Sequence, residues 1–191
     1  MTRSRLTPER ENELFEAVLD LLREVGYDSL TMDAVAARTR SSKATLYRQW
    51  HSKPELVAAA LQHNQVAGAH EVDTGSLRGD FRAMLTAADD LQMEKDSALL
   101  RGLVHAIHTN PDLHDALRKK LIEPETAALN RVLRRAVERG EIGADNPAVE
   151  FVPHMLLGAF FTLQVIEDRD PGRDFLTRYI DAVVLPALEA R

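Results

Sequence analysis

Five basic side chains, Arg38, Arg40, Lys43, Arg48 and Lys53, fall between Thr31 and Lys53 against the single acid Asp33, in a chain whose formal net charge is -6. Net charge averages over a whole chain, so a cationic island in an acidic protein is still the footprint expected of a site for a polyanion. Ser42, Thr45 and Tyr47 are interleaved with these cations. Guanidinium and ammonium groups meet phosphates and guanine edges, and hydroxyls serve either backbone or bases. The chemistry on offer is recognition of double-stranded DNA. A charge run alone equally describes a solvated surface, so the elements that carry these side chains must decide.

Other chemistry is thinly represented. His105 and His108 stand one helical turn apart and His114 lies beyond the next loop, a spacing that supplies metal ligands in other settings. No carboxylate occupies a matching position on that helix, so polar surface or pocket roles are expected there and no metal site. His154 follows Pro153 and suits a cavity wall or solvent. There is no Gly-x-Ser-x-Gly, no glycine-rich phosphate loop and no His-Glu-x-x-His, and Asp89 and Asp90 are adjacent and point apart on a helix. The expectation is a protein that is not an enzyme and uses no cofactor.

The cysteine count is 0, which excludes disulfides, thiolate zinc sites and thiol nucleophiles and fits a reducing cytoplasm. The start runs straight into Thr7-Pro8-Glu9 with no apolar secretion core. The most apolar run, Met155 to Phe161, is far short of the roughly 20 residues that span a bilayer. A cytoplasmic protein with no membrane partner is expected.

Helical punctuation recurs throughout, and no stretch alternates as a half-buried strand does. The class is all-α, with about nine or ten helices. Thr7-Pro8 opens the first helix, which carries Leu14, Val18, Leu21, Leu22 and Val25 on one face and ends at Gly26. Two short helices follow, about Met32 to Arg38 and Lys43 to Gln49, separated only by the turn Thr39-Arg40-Ser41-Ser42. Ser52-Lys53-Pro54-Glu55 is a capping box for a helix running through Leu61 toward Gly68. His70 to Gly79 reads as a linker, followed by helices near Leu77 to Met93 and Ser97 to His108. Asn110-Pro111, Asn146-Pro147 and Asp170-Pro171 each announce a helix, Pro124 divides the segment from Asp112 to Arg139 into two, and Pro153 kinks its helix.

These elements place the island. Thr31 caps the first short helix, Val35 and Ala36 let the second cross closely, and Leu46 and Trp50 face back into the small core. That leaves Ser42, Lys43, Thr45, Tyr47 and Arg48 on a free face suited to the major groove, with Lys53 placed for a phosphate.

The stretch Thr31 to Leu56 resembles the signature of TetR-family repressors, and Leu14 to Leu30 is similar to that family's first helix and Gly-Tyr bend. The resemblance implies a three-helix DNA-binding domain, a homodimer on a near-palindromic operator, and a C-terminal domain whose ligand shifts the spacing of two reading heads. It further implies that Thr31, Ser42, Tyr47 and Lys53 touch the DNA backbone and that Lys43, Thr45 and Arg48 lie on the reading face. Where the family has Gly-Val in the turn, this chain has Arg40-Ser41. A residue other than glycine in a left-handed turn costs roughly 1 to 2 kcal/mol, which a phosphate contact from Arg40 would offset. Arg139-Gly140-Glu141-Ile142 and Leu156-Leu157-Gly158 loosely resemble ligand-domain sequences of the family.

The sequence therefore predicts residues 1–53 as the helix-turn-helix domain and 54–191 as the ligand-sensing and dimerisation domain. Met84, Leu103, His105, Leu121, Met155 and Phe160 are candidates for a mostly apolar ligand pocket. Leu156, Phe160 and Leu163 form one apolar stripe and Phe175, Tyr179 and Val183 another, together the expected dimer seam. The expected function is a dimeric repressor released from its operator by a small molecule, the alternative being a DNA-binding regulator or activator with no inducer.

Overall fold

The first helix, α1 (Pro8–Ser29), begins where Thr7 Oγ1 accepts from the Arg10 amide at 3.3 Å, and Glu9 and Glu11 stand in its first turn. Carboxylates there oppose the positive end of the helix dipole. Leu14, Phe15, Val18, Leu19, Leu21 and Leu22 are buried at the spacing of one helical face. Gly26, with φ 72 and ψ 169, breaks the regular geometry, and the Leu30 amide closes the bend on the Gly26 and Tyr27 carbonyls at 3.2 Å. The computed structural model describes residues 7–64, 72–87, 99 and 102–189; no strand occurs among them. The expected ends and starts at Gly68, Met93 and Ser97, the first part of the predicted linker, and Asp89-Asp90 lie outside the described residues.

After the bend come α2 (Met32–Arg38), α3 (Lys43–Trp50) and α4 (Lys53–His63). Next are α5 (Leu77–Ala87), α6 (residues 102–109) and α7 (Pro111–Leu117). A wide π turn, Arg118–Ile122, runs into α8 (Glu123–Glu138). A tight 3₁₀ turn, Pro147–Phe151, leads into α9 (Val152–Glu167), and α10 (Arg173–Tyr179) is joined through a second π turn, Ile180–Val184, to α11 (Leu185–Glu189).

The division expected at Pro124 is present as α7 and α8, made by a π turn and not by a gap in the helix. The Glu123 amide reaches back five residues to the Arg118 carbonyl, so the turn before the proline is widened. Wide turns of this kind give the ring room where an α turn would set it against a carbonyl. The same arrangement precedes Pro186, where the Leu185 amide bonds to the Ile180 carbonyl. Pro153 falls in the first turn of α9, after the 3₁₀ stretch.

Two compact units are present. One holds the described residues of Met1–Gln65 and Leu99–Glu123, the other those of Val66–Ala98 and Pro124–Arg191. In the first, Leu14, Val18, Val35, Leu46 and Trp50 share one core with Leu56 and Val57 of α4, Leu103 of α6 and Leu113 of α7. The expected boundary at residue 53 thus falls inside a unit. With α2 and α3 so short, the three helices have too little volume to enclose Phe15, Val18 and Leu22, and α4, α6 and α7 supply the missing apolar surface.

The second unit closes around Phe81, Leu129, Val132, Leu133, Val152, Ile180, Val184 and Leu188. At its edge Asp80 is fully buried, accepting from the Thr74 amide at 2.6 Å, from Thr74 Oγ1 at 2.8 Å and from Arg139 at 3.2 Å. Burial pushes its carboxyl up, but the bonds from Thr74 and Arg139 outweigh that and hold it below the ordinary 3.8. In contrast to the short apolar run read from the sequence, the helical stretch Pro147–Glu167 is long and apolar enough by length and composition to cross a membrane, with only 17% of its window buried. Thr162 and Gln164, both uncharged, let the run continue through Leu163, Val165 and Ile166.

Candidate nucleic-acid interface

Local rules build the reading element. Thr31 Oγ1 accepts from the Ala34 amide at 3.1 Å, starting α2, and Ser42 Oγ accepts from the Thr45 amide at 3.1 Å, starting α3. Ser42 Oγ also lies 2.8 Å from Thr45 Oγ1, so both hydroxyls are engaged in the cap. Between the helices, the Ser41 amide bonds to the Ala36 carbonyl at 3.0 Å and the Arg40 amide to the Ala37 carbonyl at 3.3 Å. That pair of bonds is the Schellman pattern, which requires a left-handed residue after the helix cap. Arg40 takes that position with φ 51. The turn expected for Gly-Val is therefore made by Arg40-Ser41, with the side chain of Arg40 exposed. Arg10 of α1 donates to the Thr39 carbonyl and holds the end of α2 against the first helix.

Leu46 and Trp50 are buried, Trp50 edge-on to Phe15 at 5.5 Å. With these on the inner face, Ser42, Lys43, Tyr47 and Arg48 are exposed on the outer one, Tyr47 by 45%. The cations differ in their partners. Arg38 forms a fork with Glu24 at 2.7 and 3.1 Å, a bond that raises the guanidinium's pKa and lowers the carboxyl's. Lys43 pairs with Asp33 at 2.9 Å, which raises the ammonium's pKa. Arg40 and Arg48 have no ion-pair partner among the described residues.

Lys53 is built into the architecture. Its Nζ donates to the Tyr27 carbonyl at 2.9 Å and the Leu30 carbonyl at 3.0 Å, and lies 4.1 Å from the centre of the Tyr27 ring. Partial burial lowers its pKa. Burial, with Asp28 and Asp112 nearby, pushes the Tyr27 phenol up to about 12. The Gly-Tyr bend and the start of α4 are thereby locked together. An ammonium has three protons, so one is left to point outward. Sequence reasoning did not anticipate this role, nor those of Arg10 and Glu24, because the partners lie far apart in the chain.

Of the six candidate pocket residues, Leu103, His105 and Leu121 belong to the first unit and Met84, Met155 and Phe160 to the second. Leu103 is completely buried in the first unit's core, Leu121 packs partly against it, and His105 is exposed. Met84 and Phe160 line a small cleft of the second unit with Phe81, Leu85, Leu156, Leu176 and Ile180, about 170 Å³ in volume. Met155 lines a different groove of about 390 Å³ with Gly158, Thr162, Ile166, Phe175 and Tyr179. Among the described residues no group of three or more side chains could hold a metal.

In the expected seam, Leu163 is 3% exposed within its own chain. Leu156 and Phe160 are partly exposed and line the smaller cleft. Leu157, Val165 and Ile166, missed in the sequence, are exposed by 52%, 85% and 76%. Phe175 and Tyr179 border the larger groove, and Val183 is 42% exposed.

A capped short helix, a Schellman turn and a second helix with a polar, cationic outer face define a helix-turn-helix DNA-binding protein. Residues 14–60 match the family described as bacterial regulatory proteins, tetR family, and residues 71–183 match the tetracyclin repressor-like C-terminal domain. The chain is 37% identical over 179 residues to an uncharacterised HTH-type transcriptional regulator of Mycobacterium tuberculosis, covering 94% of this chain and 88% of that one. It is 37% identical over 177 residues to the DNA-binding transcriptional repressor TetR of Mycobacteroides abscessus, covering 92% of each. Among solved structures, the TetR family transcription regulator SCO0332 superposes with a TM-score of 0.67 at 29% identity, covering 94% of this chain and 98% of that one. A TetR-family regulator from Rhodococcus sp. has the same fold, with a TM-score of 0.75 at 18% identity over 93% of this chain and 99% of that one. The chain belongs to the TetR family of DNA-binding transcriptional regulators, which are not enzymes.

Proposed function

We propose that this protein is a cytoplasmic homodimeric repressor that binds a near-palindromic operator and leaves it when a small molecule occupies the second unit. The observation that carries the dimer is α9: Leu157, Val165 and Ile166 stand largely in water on one helix. An apolar surface of that kind on a water-facing helix marks an interface. A second copy covers it in a helix-bundle seam, with Phe175, Tyr179 and Val183 contributing from the neighbouring helical segment. Dimerisation also meets a need of the reading element, since one short helix reaches few base pairs and two heads double the contacts.

On the DNA, Thr31, Ser42 and Tyr47 with the third proton of Lys53 meet phosphates, Arg40 adds another phosphate contact from the turn, and Lys43, Thr45 and Arg48 face the bases. The repressor role follows the Mycobacteroides abscessus relative, whose name states it. The cleft holding Met84 and Phe160 supports the ligand, and an effector must bind the DNA-free state better than the bound one, since equal affinity shifts nothing.

The test is Val165→Glu, which at 85% exposure leaves the fold intact. A charge in the seam is expected to halve the mass in solution and abolish binding to DNA recovered by genomic pull-down with the wild-type protein. A variant that stays dimeric and still binds would move the interface elsewhere. Repeating the pull-down with candidate ligands checks release; if no compound releases DNA, the inducer is refuted and a ligand-free regulator stands.

A further inference from the structure

The cations of the reading element divide into two kinds, and the division points to Asp33. Arg40 and Arg48 carry exposed charges with no ion-pair partner among the described residues, whereas the Lys43 ammonium lies 2.9 Å from the Asp33 carboxylate. Both members are solvent-accessible, 51% and 71%, so the pair adds little to stability. Its position is more telling than its strength. Lys43 opens α3 and Asp33 stands in the first turn of α2, so the pair bridges the two helices at the edge of the outer face. A cation at a helix N-terminus is opposed by the helix dipole, and the carboxylate across the turn relieves it.

We propose that Asp33 is a specificity-determining positioning residue, holding Lys43 in a locally neutral pair so that its ammonium serves base discrimination in place of general attraction to phosphate. This rests on the reading that α3 enters the major groove. One proton of Lys43 goes to Asp33, and two are left for acceptors such as O6 and N7 of guanine. The carboxylate meanwhile repels phosphate, so any register that brings backbone to this point is disfavoured, which is how an interface rejects wrong partners. Lys43 therefore contributes little to non-specific binding, whose strength comes from counterions released by unpaired cations.

The experiment uses the full-length chain with a random-sequence duplex and with the consensus duplex that the wild-type chain enriches from a random library. Asp33→Asn is expected to bind the random duplex about 3- to 10-fold more tightly at low salt, with the salt slope steeper by roughly one unit per head. Its enriched consensus should lose preference at one position in each half-site. Asp33→Glu, which keeps the charge, should bind the random duplex as the wild type does. Lys43→Gln should weaken the consensus complex and leave the random duplex within about 2-fold. The proposal is overturned if Asp33→Asn tightens both duplexes by one factor with an unchanged consensus, or if Lys43→Gln weakens both equally. Failure of the wild-type chain to enrich any sequence would refute the major-groove reading and this proposal with it.

Discussion

Replacing Arg40 by glycine should make the protein more stable and a poorer DNA binder at the same time. Arg40 holds φ 51 in the turn between α2 and α3. A side chain in that region costs about 1 to 2 kcal/mol, which glycine does not incur. Glycine also enlarges the entropy of the unfolded chain, a loss of about 0.4 to 1 kcal/mol. The difference favours Arg40→Gly by about 0.5 to 1 kcal/mol, a rise in Tm of roughly 1 to 4 °C for a chain of this size. The two turn bonds, from Ser41 to Ala36 and from Arg40 to Ala37, are backbone only and survive the change. Removing one phosphate contact per head should lower the salt slope by about 0.9 per contact and weaken all sequences alike. Arg40→Asn separates the effects, because asparagine tolerates the left-handed region and carries no charge. Urea and thermal melts read the first effect and fluorescence anisotropy across salt reads the second. An Arg40→Gly protein less stable than wild type would refute the strain argument, and an unchanged salt slope would remove Arg40 from the DNA contacts.

Lys53→Met keeps the apolar stem and deletes the ammonium that joins the Tyr27 and Leu30 carbonyls; it should cost about 1 to 3 kcal/mol in urea titrations, and a variant as stable as wild type would show that the bend holds without it. The same variant should bind random and consensus DNA less tightly by one common factor. The Asp80 carboxyl sits lower in the folded than in the unfolded chain, so its stabilising contribution is present above the ordinary 3.8 and is lost as pH falls through the folded value. Asp80→Asn should therefore be less stable than wild type at neutral pH and show a shallower loss below that point; parallel acid limbs in circular dichroism would contradict the assignment.

What could be read from the sequence follows the distance between interacting partners. Thr7, Thr31, Ser42, Ser52, Asn110 and Asn146 each accept from an amide two or three residues on, as their spacing before a helix predicts. The Asp170-Pro171 signal places a helix correctly, but Gly172 is the residue at its cap, with no side-chain bond. The outer face of α3 was equally readable, since Leu46 and Trp50 fix its phase. Long-range arrangements were not. Whether Leu103 and Leu113 serve the DNA-binding core or a ligand cavity depends on where α6 and α7 dock, and their apolar spacing is the same in either case. The phase of α9 is not legible for a related reason: almost every position is apolar, so periodicity cannot say which side turns inward, and only packing buries Leu163 and leaves Val165 in water.

Lys53 shows how the two kinds of information combine. The family resemblance implies a phosphate contact, and the structure gives a side chain bound to two carbonyls and an aromatic ring. The two roles are compatible because the carbonyls belong to the bend that sets α2, and a cation anchored there is carried wherever that bend goes. An ammonium on a free four-carbon stem loses rotamer entropy when it meets a phosphate, whereas one already held by two bonds has lost it on folding. The cost of ordering Lys53 is thus met in the fold, which favours the phosphate contact proposed for it over one from an unheld lysine. The converse holds for Lys43, whose anchor is a carboxylate: the same fixing of the stem comes with a negative charge that phosphate must displace. On the proposed reading one lysine is prepared for the backbone and the other against it, and that difference lies in their partners, not in the residue type.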